Sequence, residues 1–580
     1  MNWYVEKIEK NMSESDKKFL KEIYEPITVM HRPPSDAFNS MAITEDGEIR
    51  IYGLHNKKHG CPGCSDMTDG TPIYYASRDG GLSWKMYEYD FFGTMGRGII
   101  DPKTGRTFRM QVKDGESFAR ISDEGLDSKN FRMIKLPVKV SNWVRPAIVL
   151  EHKDRVIIPG DVYADGKHNA CVCYSDDNGE TWDHSFIDEV APLPTTPPSK
   201  GLRWQNRGCE PAIVELSDGT LMCTIRTCHD LDSVVFSYDN GTTWTKPRYS
   251  DFHAVNTTSG YLKMNDGRIV FFWNNTKPLP EQDMDAAFPP IGGWEKEGRL
   301  EDVFTNRDAN CVAISEDDGK TWIGMRELCL NGCRNRADFR TCDGNRTSHD
   351  KSVQQCQMIE LPYGKVLIHL GQNRLMSKVL IFDVNWLYEK TRKEDFRSGL
   401  DALSTQVYVK SISAEGRGQV GHCAWNRTNG ALLIPNPDGD YSEVLILRNT
   451  DDDRLRNNIQ GAVWNFPAGK TGEVNVKLKV LGKGVRISVL DYWMNPSDET
   501  VKDFANFSFE ITETDKNSWN DAIIKFSGDT AAIYLNGELK DTKKMVGEAP
   551  NGLCYLHLQT LTAEGDKEGT LIKEISAETK

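Results

Sequence analysis

One stretch of the chain places a carboxylate and a guanidinium where they could act together. In RGCEPAIVELSDGTLMCTIR (207–226), Glu210 opens one apolar run and Arg226 closes the next, with Asp218-Gly219 as the turn between them. Comparable positions recur along the chain. First-run starts carry Asp36, Asn39, Arg97, Arg145, Thr258 and Gln355, and second-run ends carry His55, Asn56, Asp161, Asn274, Asn373 and Arg374. Several arginines converging on one place favour an anion site, because the guanidinium fork binds carboxylates bidentately. Any one of them could instead be a surface or salt-bridged residue. Two carboxylates across such a pocket, Glu210 with Asp66 or Asp36, would suit glycoside hydrolysis. Trp204, in RWQNR (203–207), stands just ahead of Glu210, where an aromatic platform for a sugar face would sit, although it could equally be core. His349-Asp350 could supply a base for β-elimination, or be an ordinary loop pair. The insert around them carries Arg334, Arg336, Arg340 and Arg346, which could roof the pocket or form a solvated basic loop.

The elements that must position these residues announce themselves as a repeat. The phrase S-x-D-x-G-x-[ST]-W occurs at Ser77–Trp84, Ser175–Trp182, Ser237–Trp244 and Ser315–Trp322, with a damaged copy at Ser122, Asp123 and Gly125 followed by Phe131. Asp and Ser can bond their own backbone, Gly accepts a positive φ, and Trp supplies an apolar anchor, so each copy reads as a hairpin turn. Alternating apolar pairs broken by short polar turns fall at 38–54, 96–110, 145–160, 210–227, 259–275 and 355–372. This arrangement predicts four-stranded units with the Asp-Gly turn between the third and fourth strands, and hence a six-bladed β-propeller. The stretch 378–390 is expected to be the last outer strand running into a short helix. The stretch 421–436 could be a further hairpin that would change the blade count.

A chain of 580 residues is too long for one core, and the formal net charge of −14 argues against a nucleic-acid partner. The N-terminus is charged throughout and no apolar run approaches a membrane span, so a soluble cytoplasmic protein is expected. The 14 cysteines read mainly as reduced thiols. A zinc site built on Cys61 and Cys64, or disulfides, are the alternatives. No nucleotide or metal signature stands out, and neither cofactor nor metal is expected.

The Asp-box turns and the 207–226 stretch resemble the sialidase (neuraminidase) superfamily of BNR-repeat proteins over roughly residues 30–390. The resemblance implies that Glu210 activates the nucleophile and that Arg226 is one arm of the triad gripping a substrate carboxylate. Arg97, Arg145 and Arg374 are candidates for the other arms. Arg32, in His31-Arg32-Pro33-Pro34, is the nearest counterpart of an Arg-Ile-Pro phrase, and Arg207 and Trp204 would line the pocket. Asp66 or Asp69 occupies the place of the acid, before the first box. The chain departs from the family in three places. The Arg-Ile-Pro phrase is displaced, Ala313-Ile314 stands where a late Arg is expected with Arg307 the nearest substitute, and Gln354-Gln355 stands where the family has its Tyr nucleophile.

Beyond residue 451 the Asp-box turns stop, and strongly alternating strands predict an antiparallel β-sandwich that resembles concanavalin or laminin-G jelly rolls. The expected division is an N-terminal segment (1–30), the propeller (31–390), a connecting region (391–450) and the sandwich (451–580). The expected function is an exo-acting glycoside hydrolase removing a terminal acidic sugar, with sialic acid first among candidates. A uronate lyase and a noncatalytic glycan-binding propeller are the alternatives. The partner is a carbohydrate, and the oligomeric state is left open.

Overall fold

The computed structural model describes residues 2–34, 40–55, 71–88, 98–141, 145–191, 207–227, 229–255, 257–276, 307–335, 353–371, 376–408, 427–449, 459–562 and 564–580. Six four-stranded antiparallel sheets, here I to VI, are built from strands within residues 27–383. Sheet I comprises Met41–Ile43, Ile49–His55, Thr71–Ser77 and Lys85–Glu88, and sheet II Ile99–Ile100, Thr107–Lys113, Glu116–Ser122 and Arg132–Lys135. Sheet III comprises Ile148–Val149, Val156–Ala164, Lys167–Ser175 and Asp183–Phe186, and sheet IV Cys209–Glu215, Leu221–Arg226, Leu231–Ser237 and Arg248–His253. Sheet V comprises Gly260–Lys263, Ile269–Trp273, Ala309–Ser315 and Ile323–Leu330.

Sheet VI corrects one expectation. Its first three strands are Cys356–Leu361, Lys365–Leu370 and Lys378–Asp383, and its outer strand is Ile27–His31, from the other end of the chain. Residues 378–383 therefore form a third strand, paired on both edges. A third strand whose edge no later segment fills leaves unpaired N–H and C=O groups, which the N-terminal strand satisfies.

Each Asp box joins the third strand of its sheet to the fourth. In sheet III the Asp177 carboxylate accepts from Ser175 Oγ at 2.8 Å, Thr181 N at 2.8 Å and Thr181 Oγ1 at 2.6 Å, and Trp182 Nε1 donates to Gly179 O at 2.9 Å. Gly179 has φ +89, and a Cβ there would lie 2.7 Å from Phe108 and Ile121 of sheet II. The turn thus presses a bare backbone against the neighbouring sheet. Gly81 of sheet I does the same against Leu367 of sheet VI. Sheet VI also meets sheet I through Gln357, whose amide accepts from Met41 N at 2.8 Å and donates to Met41 O at 2.9 Å. Mixed apolar clusters fill the remaining junctions, as where Phe108, Ile121, Val156 and Cys173 join sheets II and III, and Ile157, Ile213, Leu221 and Val235 join III and IV. Each sheet packs on the next, and the sixth packs on the first.

Two short helices, Val5–Asn11 and Glu14–Glu22, precede the closing strand, the second with a capping box between Ser13 and Asp16. Their buried Ile8, Met12, Leu20 and Ile23 pack on Ile49, Leu361, Leu367 and Ile381 of sheets I and VI. Burial of each such side chain contributes roughly 1.5–3 kcal/mol.

The remainder of the chain forms an eight-stranded and a five-stranded sheet around one shared core, with Leu445, Val476, Ile524 and Ile575 from one and Trp464, Ile487, Phe509 and Leu556 from the other. Several described segments within 391–449 pair with these sheets. Thr391–Glu394 pairs with Asp566–Thr579, Leu403–Ser404 pairs with Gly461–Gly469, and Leu432–Pro435 pairs with Glu443–Asn449. Of the hairpin anticipated at 421–436, residues 421–426 lie outside the described residues, Arg427–Thr428 pairs with Val407–Tyr408 and Leu432–Pro435 with Glu443–Asn449, so these strands join none of the six four-stranded sheets. A buried cluster including Phe271, Trp273, Met325, Tyr492, Trp493 and Tyr555 locks the large sheets onto sheet V. Among the described residues nine cysteines are buried, and no group of three potential ligands could hold a metal ion. Among these residues no helix is long and apolar enough to cross a membrane.

Candidate functional site

First strands start, second strands end and third strands start at the same end of each sheet, so polar residues at those positions collect there. In sheet IV the pairing shifts between Cys209↔Arg226 and Ala212↔Thr224, leaving Glu210 and Pro211 in an irregularity. Glu210 adopts φ +50, a left-handed conformation that costs a non-glycine residue of order 1–3 kcal/mol. The irregularity aims its carboxylate at Arg226, whose Nη1 lies 3.1 Å from Glu210 Oε2. Both side chains are less than a tenth exposed. A pair this deeply buried is held by mutual neutralisation, and removing one partner leaves a costly uncompensated charge.

Asp161, in the second half of the second strand of sheet III, is fully buried and connects this pair to a histidine. Its Oδ2 accepts the backbone N–H of Glu210 at 3.1 Å, and its Oδ1 lies 2.6 Å from His168 Nδ1. Ser141 Oγ adds a donor to Oδ1 at 3.2 Å. Burial raises the Asp161 carboxyl above its ordinary range, and the contact with His168 opposes that shift. His168 faces Tyr163 across the hairpin, with ring centroids 4.9 Å apart.

Asp232 completes the cluster. It opens the third strand of sheet IV, is 2% exposed, and is pushed up to about 7 by burial, with the Glu210 charge adding to the rise and a Ser259 hydrogen bond and Arg226 opposing it. Sequence reading passed over Asp232. The available signal was an acidic residue at the head of the apolar strand LDSVVFS.

The other anticipated residues are distributed unevenly. Arg145, expected in the anion clamp, ties three sheets together. Its Nη1 donates to Cys356 O at 2.6 Å, and its Nη2 donates to Thr258 Oγ1 at 3.0 Å and to Ser259 O. Both terminal nitrogens of its guanidinium are thus engaged by protein oxygens. Arg207 lies 3.2 Å from Glu189 and 3.7 Å from Asp165, and its N–H donates to His168 O at 2.9 Å. Arg32 follows the closing strand, is exposed, has φ +53, and donates its N–H to Ser377 O at 3.0 Å. Arg307 is fully buried. Gln354, at the position the resemblance gives to a Tyr, donates to Thr258 O, and Gln355 accepts from Thr258 Oγ1 at 3.3 Å. Asp66, Arg97, Trp204 and Arg374 lie outside the described residues, as do Asp36, Asn39, Asn56, Asp69, Asn373, His349 and Asp350. The structure thus brings together Glu210, Arg226, Asp161, His168 and Asp232, with Arg145 and Thr258 beside them.

No curated protein sequence matches the chain. Among solved structures, Trypanosoma rangeli sialidase is similar at 12% identity, covering 94% of this chain and 92% of that one, with a TM-score of 0.36. A Dyadobacter fermentans protein of unknown function is similar at 15% identity, over 62% of this chain and 97% of that one, with a TM-score of 0.40. The NanB sialidase of Streptococcus pneumoniae is similar at 13% identity, over 65% and 73% of the two chains, with a TM-score of 0.38. Residues 106–330, which span sheets II to V with three intact Asp boxes, match the BNR repeat-like domain family. The similarity to that family covers residues 106–330, under half of the chain.

Proposed function

We propose that the six sheets are the blades of a β-propeller closed by the N-terminal strand, that the two larger sheets form a β-sandwich from about residue 391 onward, and that the protein is an exo-acting glycoside hydrolase. The observation that carries this reading is the buried Glu210–Arg226 pair, 3.1 Å apart, on a strained backbone at the end where the first strands begin. A carboxylate held beside developing positive charge stabilises an oxocarbenium-like transition state. The arrangement also supports an acidic terminal sugar. A substrate carboxylate could compete for Arg226, with Arg97 and Arg374 to complete the grip. Arg145 is already bound to main-chain and hydroxyl oxygens, so we assign it to holding the blades together. Sialic acid remains first among the substrates by resemblance. The amides at Gln354 and Gln355 argue for water, in place of a protein hydroxyl, as the attacking group.

The test is hydrolysis of 4-methylumbelliferyl sialoside and 4-methylumbelliferyl glucuronide by the wild type and by Glu210→Gln. Release by the wild type that the variant loses supports a glycosidase centred on Glu210. Binding of these sugars without release would identify a glycan-binding protein. An ultraviolet-absorbing product from polymeric uronates would identify a lyase.

A further inference from the structure

We propose that His168, held by Asp161, is the group that gives a proton to the departing glycosidic oxygen and then takes one from the attacking water. This rests on the glycosidase reading above and assigns a proton-transfer residue within the same site. Asp161 is fully buried and uses its two oxygens on two different elements, His168 Nδ1 at 2.6 Å and the Glu210 N–H at 3.1 Å. With Nδ1 bound to that carboxylate, proton exchange with a substrate must take place at Nε2, in the manner of a histidine whose tautomer is set by an aspartate.

Three further observations support the assignment. The His168 side chain is 21% exposed while its partner is 0% exposed, so the imidazole stands at the boundary between the buried carboxylate and solvent. Tyr163, on the paired strand, backs the ring at 4.9 Å and is itself 48% exposed, so the mouth of the site is open on this side. Asp161 and Tyr163 are two residues apart on one strand, and Tyr163 pairs with His168, so all three project from one face of sheet III. Asp161 reaches Glu210 of sheet IV from that face. Asp161 is a positioning residue, and His168 is the one that reaches the substrate.

The chemistry balances with water as the only co-reactant. The C–O bond of the glycoside breaks with its electron pair going to oxygen, and protonated His168 supplies the proton at Nε2. The sugar cation is held by the Glu210 carboxylate. Water then bonds to the anomeric carbon and releases its proton to the neutral imidazole, which restores the starting state. No protein hydroxyl is consumed, in keeping with amides at Gln354 and Gln355.

The test compares leaving groups, because an acid matters for a sugar alkoxide and hardly at all for a stabilised aryl oxide. The wild type, His168→Gln and Asp161→Asn would be assayed on sialyllactose and on 4-methylumbelliferyl sialoside, and on the matching glucuronide pair, with thermal unfolding to verify that each variant folds. The expected loss for His168→Gln is about 100-fold or more in kcat on the disaccharide, the scale of general acid catalysis, and a few-fold at most on the aryl glycoside. Asp161→Asn should show the same selectivity to a lesser degree. Equal losses on both leaving groups, or unchanged rates on both, would overturn the assignment and leave the glycosidase reading standing. A wild type that hydrolyses none of the four substrates would remove the glycosidase reading and this assignment with it.

Discussion

Glu210 and Arg226 sit on paired strands of sheet IV with Oε2 and Nη1 3.1 Å apart, and both are more than nine-tenths buried. Such a pair is rarely worth its desolvation as stability alone, since apolar replacements of similar volume often do as well. Removing one member exposes the cost of the other. Arg226→Met should destabilise the fold by about 3–5 kcal/mol, because it leaves Glu210 buried without its countercharge. The double replacement Glu210→Gln with Arg226→Met should recover a good part of that loss. Denaturant unfolding of the wild type and both variants measures it, and a double variant no more stable than Arg226→Met would show that the two residues are not coupled.

Asp232 gives a pH signature. Its folded value near 7 lies above that of an unfolded aspartate, near 4. As pH rises from about 4 to 7 the unfolded chain ionises while the folded one resists, so this residue's contribution to stability falls over that window. Asp232→Asn removes the effect. The variant should gain stability relative to wild type between pH 5 and pH 8 and lose that advantage near pH 4. Melting temperatures across that range decide it, and a pH-independent difference would contradict the assignment.

His557, in the strand Leu553–Thr560 of the five-stranded sheet, behaves in the opposite sense. Burial holds it down to about 4, and its ring nitrogen Nε2 lies 3.0 Å from Asn495 O. The folded state keeps the neutral ring while the unfolded chain protonates near 6.5, so stability is fully present above pH 6.5 and is lost as pH falls from there towards 4. At roughly 1.4 kcal/mol per pKa unit, the total is about 3 kcal/mol. His557→Gln should flatten the acid side of the stability curve over this interval, a result that thermal melts in matched buffers would show.

The Asp box of sheet III isolates the worth of one turn. Asp177 accepts three hydrogen bonds, from Ser175 Oγ, Thr181 N and Thr181 Oγ1. At a net 0.5–1.5 kcal/mol each, discounted for exposure, Asp177→Ala should cost about 1–3 kcal/mol. Gly179→Ala should cost more, since its Cβ would strike Phe108 and Ile121 while the backbone sits at φ +89. Urea unfolding ranks the two, and the reverse order would mean that the turn's hydrogen bonds outweigh its contact with sheet II.

The parts of this fold that could be read from sequence are the local ones. The six strand pairs and the Asp boxes depend on hairpins whose residues are neighbours in the chain. The outer strand Ile27–His31 could not be read in the same way, because its partner Lys378–Asp383 lies at the far end of the six-sheet region. Thr391–Glu394, Leu403–Ser404 and Glu443–Asn449 are hard to place for a related reason, since each has a partner beyond residue 460. At the site, Glu210 and Arg226 were legible because one hairpin separates them. Asp161 was visible as a polar strand end, but His168 depends on the Tyr163↔His168 register, and Asp232 on a third strand folding back beside the first two. The bonds of Arg145 to Cys356 O, Thr258 Oγ1 and Ser259 O were not legible, because they join segments more than a hundred residues apart.

The most direct measurement of the central claim is sugar release from the umbelliferyl sialoside and glucuronide by the wild type and by Glu210→Gln, with sugar binding followed in parallel. The proposed function predicts turnover of at least one substrate by the wild type, and a loss of about 100-fold or more in the variant with binding retained. Release at the same rate in both proteins would place the chemistry away from Glu210, and binding with no release by either would show a glycan-binding protein.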